Sequence, residues 1–368
     1  MTGRMKTPDT INVAIIGTVG VPASYGGFET LAENLVVHNR DDRVRYTVYC
    51  SRRAYSERPG EFCGARLRYV GFRPNGWQSV IYDAVSIFRA LRHEDMVVAF
   101  GVSGAVALPF AKLFSRKKIV VHTDGIEHRR EKWNRVARWY LKLSEALAVR
   151  FADAVVVDNQ AVADYIRGEY GIESPLVEFG GDNSVFDDVA DEEGILSAYG
   201  VRAGEYAVAI CRIEPENNPE MILEAFRRCG RRLLFIGNWR STQLGVSLSE
   251  RYGNVPNIVM APAVYDKETV YVLRKCASVY VHGHSAGGTN PSLVEAMYLG
   301  LPVVAFDVVF NRQTTEGHAM YFKSVDELVN ILGGEAYGDM GAVMREVAER
   351  RYKWDLIVDK FVDTLMSV

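Results

Sequence analysis

His282-Gly-His-Ser-Ala-Gly-Gly-Thr-Asn-Pro-Ser-Leu-Val-Glu295-Ala-Met-Tyr-Leu-Gly300-Leu-Pro-Val-Val-Ala305 is the stretch on which the reading of the fold turns. It begins where the apolar run Ala277-Ser-Val-Tyr-Val281 ends and crosses Gly287, Gly288, Thr289 and Asn290. Pro291 follows, and its fixed φ and missing N–H suit the first turn of a helix. Leu293, Val294 and Met297 recur at helical spacing, Gly300 supplies the stop, and Pro302–Ala305 reads as a further strand. A helix that starts this way points N–H groups, those around Ser292 and Leu293 included, and the positive end of its dipole at an anion, most often a phosphate. Glu295 lies about one turn inside the helix. That is too deep for the phosphate and better matched to a sugar hydroxyl such as a ribose.

The same grammar opens the chain. Ile11–Ile16 is a predicted buried strand, followed by Gly17-Thr-Val-Gly-Val-Pro-Ala-Ser-Tyr-Gly-Gly-Phe-Glu29 and a helix from Thr30 to His38. A strand that feeds a glycine loop and a helix signals an open α/β sheet. The Gly-x-Gly-x-x-Gly dinucleotide fingerprint fails, because Val19 stands where its second glycine belongs. The tight pair Gly26-Gly27 instead lets backbone approach a ligand closely. Further strands are expected at 45–50, 67–70, 96–100, 118–122 and 154–157, with an amphipathic helix over 77–91. Ligands collect beyond the carboxyl ends of parallel strands, which makes His122, Asp124 and Glu127 site candidates. The acidic, non-periodic run from Asp187 to Glu193 marks a domain boundary.

The second half restarts with a strand at 206–210. Cys211-Arg212-Ile-Glu-Pro-Glu-Asn-Asn218-Pro219 then leads into a helix from Glu220 to Cys229. An arginine at such a strand end can grip phosphate through its planar fork. Strands at 232–236 and 257–260 follow, the second running into Ala261-Pro-Ala-Val264-Tyr265, with a helix over 271–277. Asn311–Gly317 is expected to follow the last core strand and face the cleft, and 352–366 to form an amphipathic helix.

These residues carry a resemblance. Asn290-Pro-Ser-Leu-Val-Glu-Ala-Met with Gly300-Leu-Pro-Val-Val-Ala resembles the donor-site signature of family 4 retaining glycosyltransferases. The glycine loop at 17–30 and Asp124-Gly-Ile-Glu-x-x-Arg-x-Lys-Trp133 are similar to bacterial rhamnosyltransferase-type members. The resemblance implies an α/β GT-B fold: two Rossmann-like domains with parallel sheets facing a central cleft, and a C-terminal helix crossing back to the first. The expected extents are 1–184, acceptor side; 185–351, nucleotide-sugar side; and 352–368, the returning helix. Two departures stand out. The family carries two glutamates eight positions apart, and Gly287 stands where the first belongs. The lysine expected five positions after Arg212 is Asn217.

The resemblance further implies roles. Arg212 stabilises the leaving diphosphate, and Asp124 or His122 orients the acceptor, with Glu127 beside them. Gly26, Gly27, Asn218, Val264, His284, Gly288, Thr289, Asn290, Ser292, Leu293 and Glu295 line the donor. The reaction is transfer of a sugar, L-rhamnose first, from a dTDP or UDP donor to a glycan or polyprenyl-linked hydroxyl in cell-surface polysaccharide synthesis. A sugar-nucleotide epimerase or hydrolase of the same fold, or a silent nucleotide-sugar-binding partner, is the alternative.

Composition bounds these readings. A chain of 368 residues, 48% hydrophobic, suits two globular domains, and a net charge of -3 argues against a nucleic-acid partner. Five scattered cysteines without a Cys-x-x-Cys pair fit a reducing cytoplasm. The N-terminus lacks an apolar signal core, and Met96–Ala111 is too short and interrupted to span a membrane. His282 and His284 lack an acidic third ligand, and no Asp-x-Asp triplet occurs, so neither metal nor other cofactor is expected. Gly101-Val-Ser103-Gly is no hydrolase elbow, because position 105 is alanine. The basic, aromatic-rich stretch from Lys112 to Lys142 leaves peripheral contact with the inner face of the plasma membrane open.

Overall fold

Val13-Ala-Ile-Ile16 and Val303-Val-Ala-Phe306 are apolar at every position because their strands are covered on both faces, the environment that parallel sheets require. The computed structural model describes residues 10–23, 26–74, 76–123, 125–334 and 337–368. These form two units, each with its own sheet.

The first sheet holds β1 (Ile11–Ile16), β2 (Val44–Ser51), β3 (Glu61–Phe62), β4 (Ala65–Val70), β5 (Met96–Phe100), β6 (Lys118–His122) and β7 (Ala154–Val156). Their order is β3-β4-β2-β1-β5-β6-β7, parallel apart from the short β3–β4 pairing. The second holds β8 (Ala207–Ile210), β9 (Leu233–Ile236), β10 (Ile258–Ala261), β11 (Val279–His282), β12 (Val303–Phe306) and β13 (Met320–Phe322). Its order is β10-β9-β8-β11-β12-β13, parallel throughout. Successive side chains point to opposite faces. Val208, Tyr280 and Val303 therefore enter one core of the second unit, while Ala207, Ala209, Val279, Val281 and Val304 enter the other.

Chain order reverses between β1 and β5 and again between β8 and β11. At such a switch point the loops leave in opposite directions and open a crevice beyond the strand ends. Arg212 follows β8 and His284 follows β11, so the second crevice receives the residues singled out above.

The first unit takes the chain up to His128, then Arg135–Glu178 and Trp354–Val368; the second takes Arg129–Asn134 and Phe179–Lys353. Nothing in the sequence signalled that a six-residue piece, 129–134, would leave the first unit for the second. The last helix, Trp354–Ser367, is fixed within the first unit by Asp355, whose carboxylate accepts from His38 Nδ1 at 3.0 Å and pairs with Arg40 at 3.2 Å.

Some elements differ from expectation. The helix expected at 271–277 runs Lys267–Lys275, because Asp266 caps it by accepting the Thr269 N–H at 2.9 Å. Residues 311–317 do not follow the last strand: the helix Val309–Thr314 takes in 311–314, and β13 comes after. The helix expected from Thr30 begins at Gly27.

Candidate functional site

Two loops meet at the β8/β11 switch point. The first leaves β8 through Arg212, makes a 3-10 turn at Pro215–Asn217, and enters the helix Pro219–Cys229 through Asn218, whose φ of 50° is left-handed. The second leaves β11 through Gly283 and His284 and reaches the helix Pro291–Tyr298 through its cap, Asn290. Main chain and amides join them. Asn218 Nδ2 donates to the Gly283 carbonyl at 2.9 Å, and the Ser285 N–H and Oγ both donate to the Glu216 carbonyl, at 2.8 and 2.9 Å. Gly283 is required here, since a Cβ would lie 2.2 Å from the Asn217 carbonyl oxygen.

Arg212 extends from this junction with its side chain 45% exposed, its nearest carboxylate being Glu214 at 3.7 Å. That is too long for a tight pair and leaves the fork available. Asn217, at the lysine position of the resemblance, is buried, and its Nδ2 donates to the Arg212 carbonyl at 2.7 Å. It braces the loop and presents no charge.

The helix start corrects one expectation. The Ser292 N–H is taken by Asn290 Oδ1 at 3.0 Å, and the Leu293 N–H by the Asn290 carbonyl at 3.1 Å. Leu293 is wholly buried. Neither amide stands open to an anion; what this end offers is its dipole. Ser292 Oγ turns inward, accepting from Arg274 at 3.1 Å and from the Tyr280 hydroxyl at 3.0 Å. Arg274 in turn pairs with Glu295 at 2.8 Å.

His282 and His284 stack with ring centroids 4.3 Å apart. Burial pushes His282 down to about 3. Burial also holds His284 well below its ordinary value, helped by His282 and then the Arg212 and Arg130 charges. Both rings are neutral at physiological pH, so His284 can exchange hydrogen bonds without adding charge. Gly288 is half-buried, Thr289 buried, and Val264, beyond the end of β10, half-buried against the core. Among the described residues no group of three metal-ligating side chains occurs.

In the first unit, carboxylates pin the glycine loop. Glu29 Oε1 accepts the Val19 N–H at 3.0 Å, and Glu33 Oε2 accepts that of Ala23 at 3.2 Å. Gly26 has φ 127°, and a Cβ there would lie 2.1 Å from the Glu29 carboxylate; Gly27 opens the helix. His122 ends β6 fully buried, its ring against Phe28 and Phe100 and its Nδ1 3.1 Å from the Thr123 carbonyl. The ring is enclosed in this fold, with no part of the residue exposed. Glu127 is half-buried on the turn Glu127–Arg129, and Asp124 lies outside the described residues.

Arg274, Tyr280 and Glu216 were missed by the sequence reading. The one signal was an arginine closing the apolar run Val270-Tyr-Val-Leu-Arg274. A charge on a face otherwise destined for the core calls for a buried partner.

Comparison with known proteins gives these loops a context. Residues 10–182 match a family described as a domain of unknown function, DUF1972, and residues 202–320 match glycosyl transferases group 1. No curated protein matches the chain. Sucrose-phosphate synthase from Thermosynechococcus elongatus is similar in structure, with TM-score 0.79 at 17% identity, covering 97% of this chain and 98% of its own. Anabaena Alr3699/HepE, in complex with UDP, superposes with TM-score 0.74 at 15% identity over 98% of this chain and 100% of its own. A putative UDP-N-acetylglucosamine 2-epimerase from Listeria monocytogenes gives 0.63 at 13% identity, covering 97% and 96%. The chain therefore has the GT-B fold, and its residues 202–320 are similar to glycosyl transferases group 1.

Proposed function

We propose that this protein is a retaining, metal-independent glycosyltransferase that moves a sugar, L-rhamnose as the first choice, from a nucleoside diphosphate to a hydroxyl of a glycan or lipid-linked acceptor. The observation that carries the reading is Arg212: an exposed, loosely paired guanidinium at the β8/β11 switch point, in a group 1 domain. As the anomeric C–O bond breaks, negative charge collects on the departing diphosphate. A fixed cation and the dipole of the helix Pro291–Tyr298 stabilise that charge more than they stabilise the bound donor. Glu295, steadied by Arg274, accepts from a ribose hydroxyl. Neutral His284 faces the sugar. The HepE structure with UDP-glucose supports a uridine donor; the resemblance to rhamnosyltransferase-type sequences supports deoxythymidine. On the acceptor side, Asp124 is assigned by resemblance.

Among the described residues no helix is long and apolar enough to cross a membrane. Contact with a lipid surface is supported by two touching helices of the first unit, Leu108–Phe114 and Arg135–Phe151, which expose Phe110, Leu113, Phe114, Val136 and Trp139 beside a basic rim. Such a patch fits an anionic interface holding a lipid-linked acceptor.

The test is a thermal-shift and calorimetric panel of UDP, dTDP, UDP-glucose and dTDP-rhamnose. At least one raises the melting temperature of the native chain. Arg212→Ala weakens it roughly ten- to a hundredfold with an unchanged melting curve, the worth of a charged hydrogen bond. Absence of binding by all four ends the reading. The epimerase likeness supplies the second reading, which donor turnover without any acceptor would establish.

A further inference from the structure

Glu216 is a side chain at the switch point that nothing so far explains. It lies on the 3-10 turn Pro215–Asn217, between Arg212 and the cap of the next helix. Its side chain is buried, with the residue only 4% exposed, and neither carboxylate oxygen meets a hydrogen-bond partner from another side chain or main-chain group among the described residues. Its neighbour Glu214 has a guanidinium at 3.7 Å; Glu216 has none within ion-pair distance. Burial pushes its carboxyl up and Glu214 adds to this, while its own backbone N–H and then the charges of Lys132 and Arg130 pull the other way.

A buried carboxylate with both oxygens unsatisfied is costly, and folds retain such groups where a ligand completes them. Two further observations say what kind of ligand. The Glu216 main chain is bonded directly to the loop after β11, through both donors of Ser285. Two residues along that loop, Gly287 adopts φ 129°, a backbone that side-chain-bearing residues rarely take, and a Cβ there would meet nothing within 4 Å. The loop therefore leaves open space without an acid of its own. A metal is the wrong guest, since no third ligating side chain joins Glu214 and Glu216 among the described residues. Hydroxyl groups are the right one: they are neutral donors, and a carboxylate presents four lone-pair sites to them.

We propose that the Glu216 carboxylate is a specificity-determining residue that accepts hydrogen bonds from hydroxyls of the transferred sugar, in the space that Gly287 leaves. This rests on the donor-binding reading above and adds to it the group that distinguishes a nucleotide sugar from the bare nucleotide.

The experiment compares the native chain with Glu216→Gln and Glu216→Ala by calorimetry, using UDP and dTDP against UDP-glucose and dTDP-rhamnose. The expected result is unchanged affinity for the nucleoside diphosphates. For the sugar nucleotide that binds, affinity falls roughly tenfold in Glu216→Gln and up to about a hundredfold in Glu216→Ala, the range for a lost charged hydrogen bond. The unliganded Glu216→Gln protein melts no lower than the native one, since it loses an uncompensated buried charge. Equal loss for nucleotide and nucleotide sugar, or a lower melting temperature, would make Glu216 structural and overturn the proposal. Unchanged sugar-nucleotide affinity overturns it too, while the donor-binding reading survives. If the native chain binds none of the four, both fail together.

Discussion

Arg274 and Glu295 form an ion pair at 2.8 Å between the helices Lys267–Lys275 and Pro291–Tyr298, with the arginine side chain 3% exposed and the glutamate 21%. The second guanidinium nitrogen reaches Ser292 Oγ, one turn earlier on the same helix. One side chain thus fixes both the acid proposed for the ribose and the start of the helix whose dipole is proposed to act on the diphosphate. Arg274→Met leaves Glu295 without its cation. We expect a loss of about 2–4 kcal/mol in urea unfolding, below the top of the range for buried pairs because the carboxylate is partly wet. Arg274→Met combined with Glu295→Leu recovers part of that loss. A double variant as unstable as the sum of the two single variants would show that the pair is not coupled.

The stacked histidines set a pH dependence. An unfolded imidazole takes a proton below about pH 6.5, whereas His282 in the fold does so only near 3. Between these values the unfolded state binds more protons. Stability is therefore fully present above about pH 6.5 and falls as the pH drops toward 3, by about 1.4 kcal/mol per unit for each such ring. His284 acts in the same direction. Urea unfolding from pH 7.5 to 5.0 should show this slope, and His282→Asn should flatten it. A slope unaltered by that substitution would assign it to other groups.

Restoring the family lysine should harm rather than help. Asn217 is 2% exposed and holds the Arg212 carbonyl. Asn217→Lys removes that bond and forces an ammonium into the same space. Destabilisation of about 2 kcal/mol or more is expected, together with weaker nucleotide binding as Arg212 shifts. Tighter nucleotide binding at unchanged stability would mean that the position reaches the phosphates after all.

The apolar patch on the first unit predicts binding to lipid vesicles. Vesicles containing phosphatidylglycerol should float the native chain, and Phe114→Ser with Trp139→Ser should abolish this without lowering the melting temperature, both side chains being more than two-thirds exposed. Equal flotation by native and substituted proteins would remove the patch from the account. Raising the salt separates the contribution of the Lys/Arg rim, which is screened, from that of the apolar side chains, which is not.

Much of the architecture was legible because it is written locally. Val13–Ile16, Met96–Phe100 and Val279–Val281 are continuous apolar runs, and such runs suit strands covered on both sides. Pro291 announced a helix because its fixed φ and missing N–H suit a helix start whatever surrounds it. The site was less legible. His122, with the composition of a catalytic loop residue, is enclosed by Phe28 and Phe100. Ser292, read as facing the donor, turns its hydroxyl to Arg274 and Tyr280.

The sequence by itself determined two α/β units, their glycine loops and the helix that ends the first crevice-forming loop of each. Periodicity and capping act over a few residues, and a linear string records them. Tertiary structure alone decided which polar groups are taken and which remain to be satisfied: Arg274 finds Glu295 from another helix, Asn217 spends its amide on its own loop, and the Glu216 carboxylate is buried without a hydrogen-bonding side chain among the described residues. Hydrogen-bond partners are assigned by packing between segments distant in the chain, and no local pattern encodes that assignment.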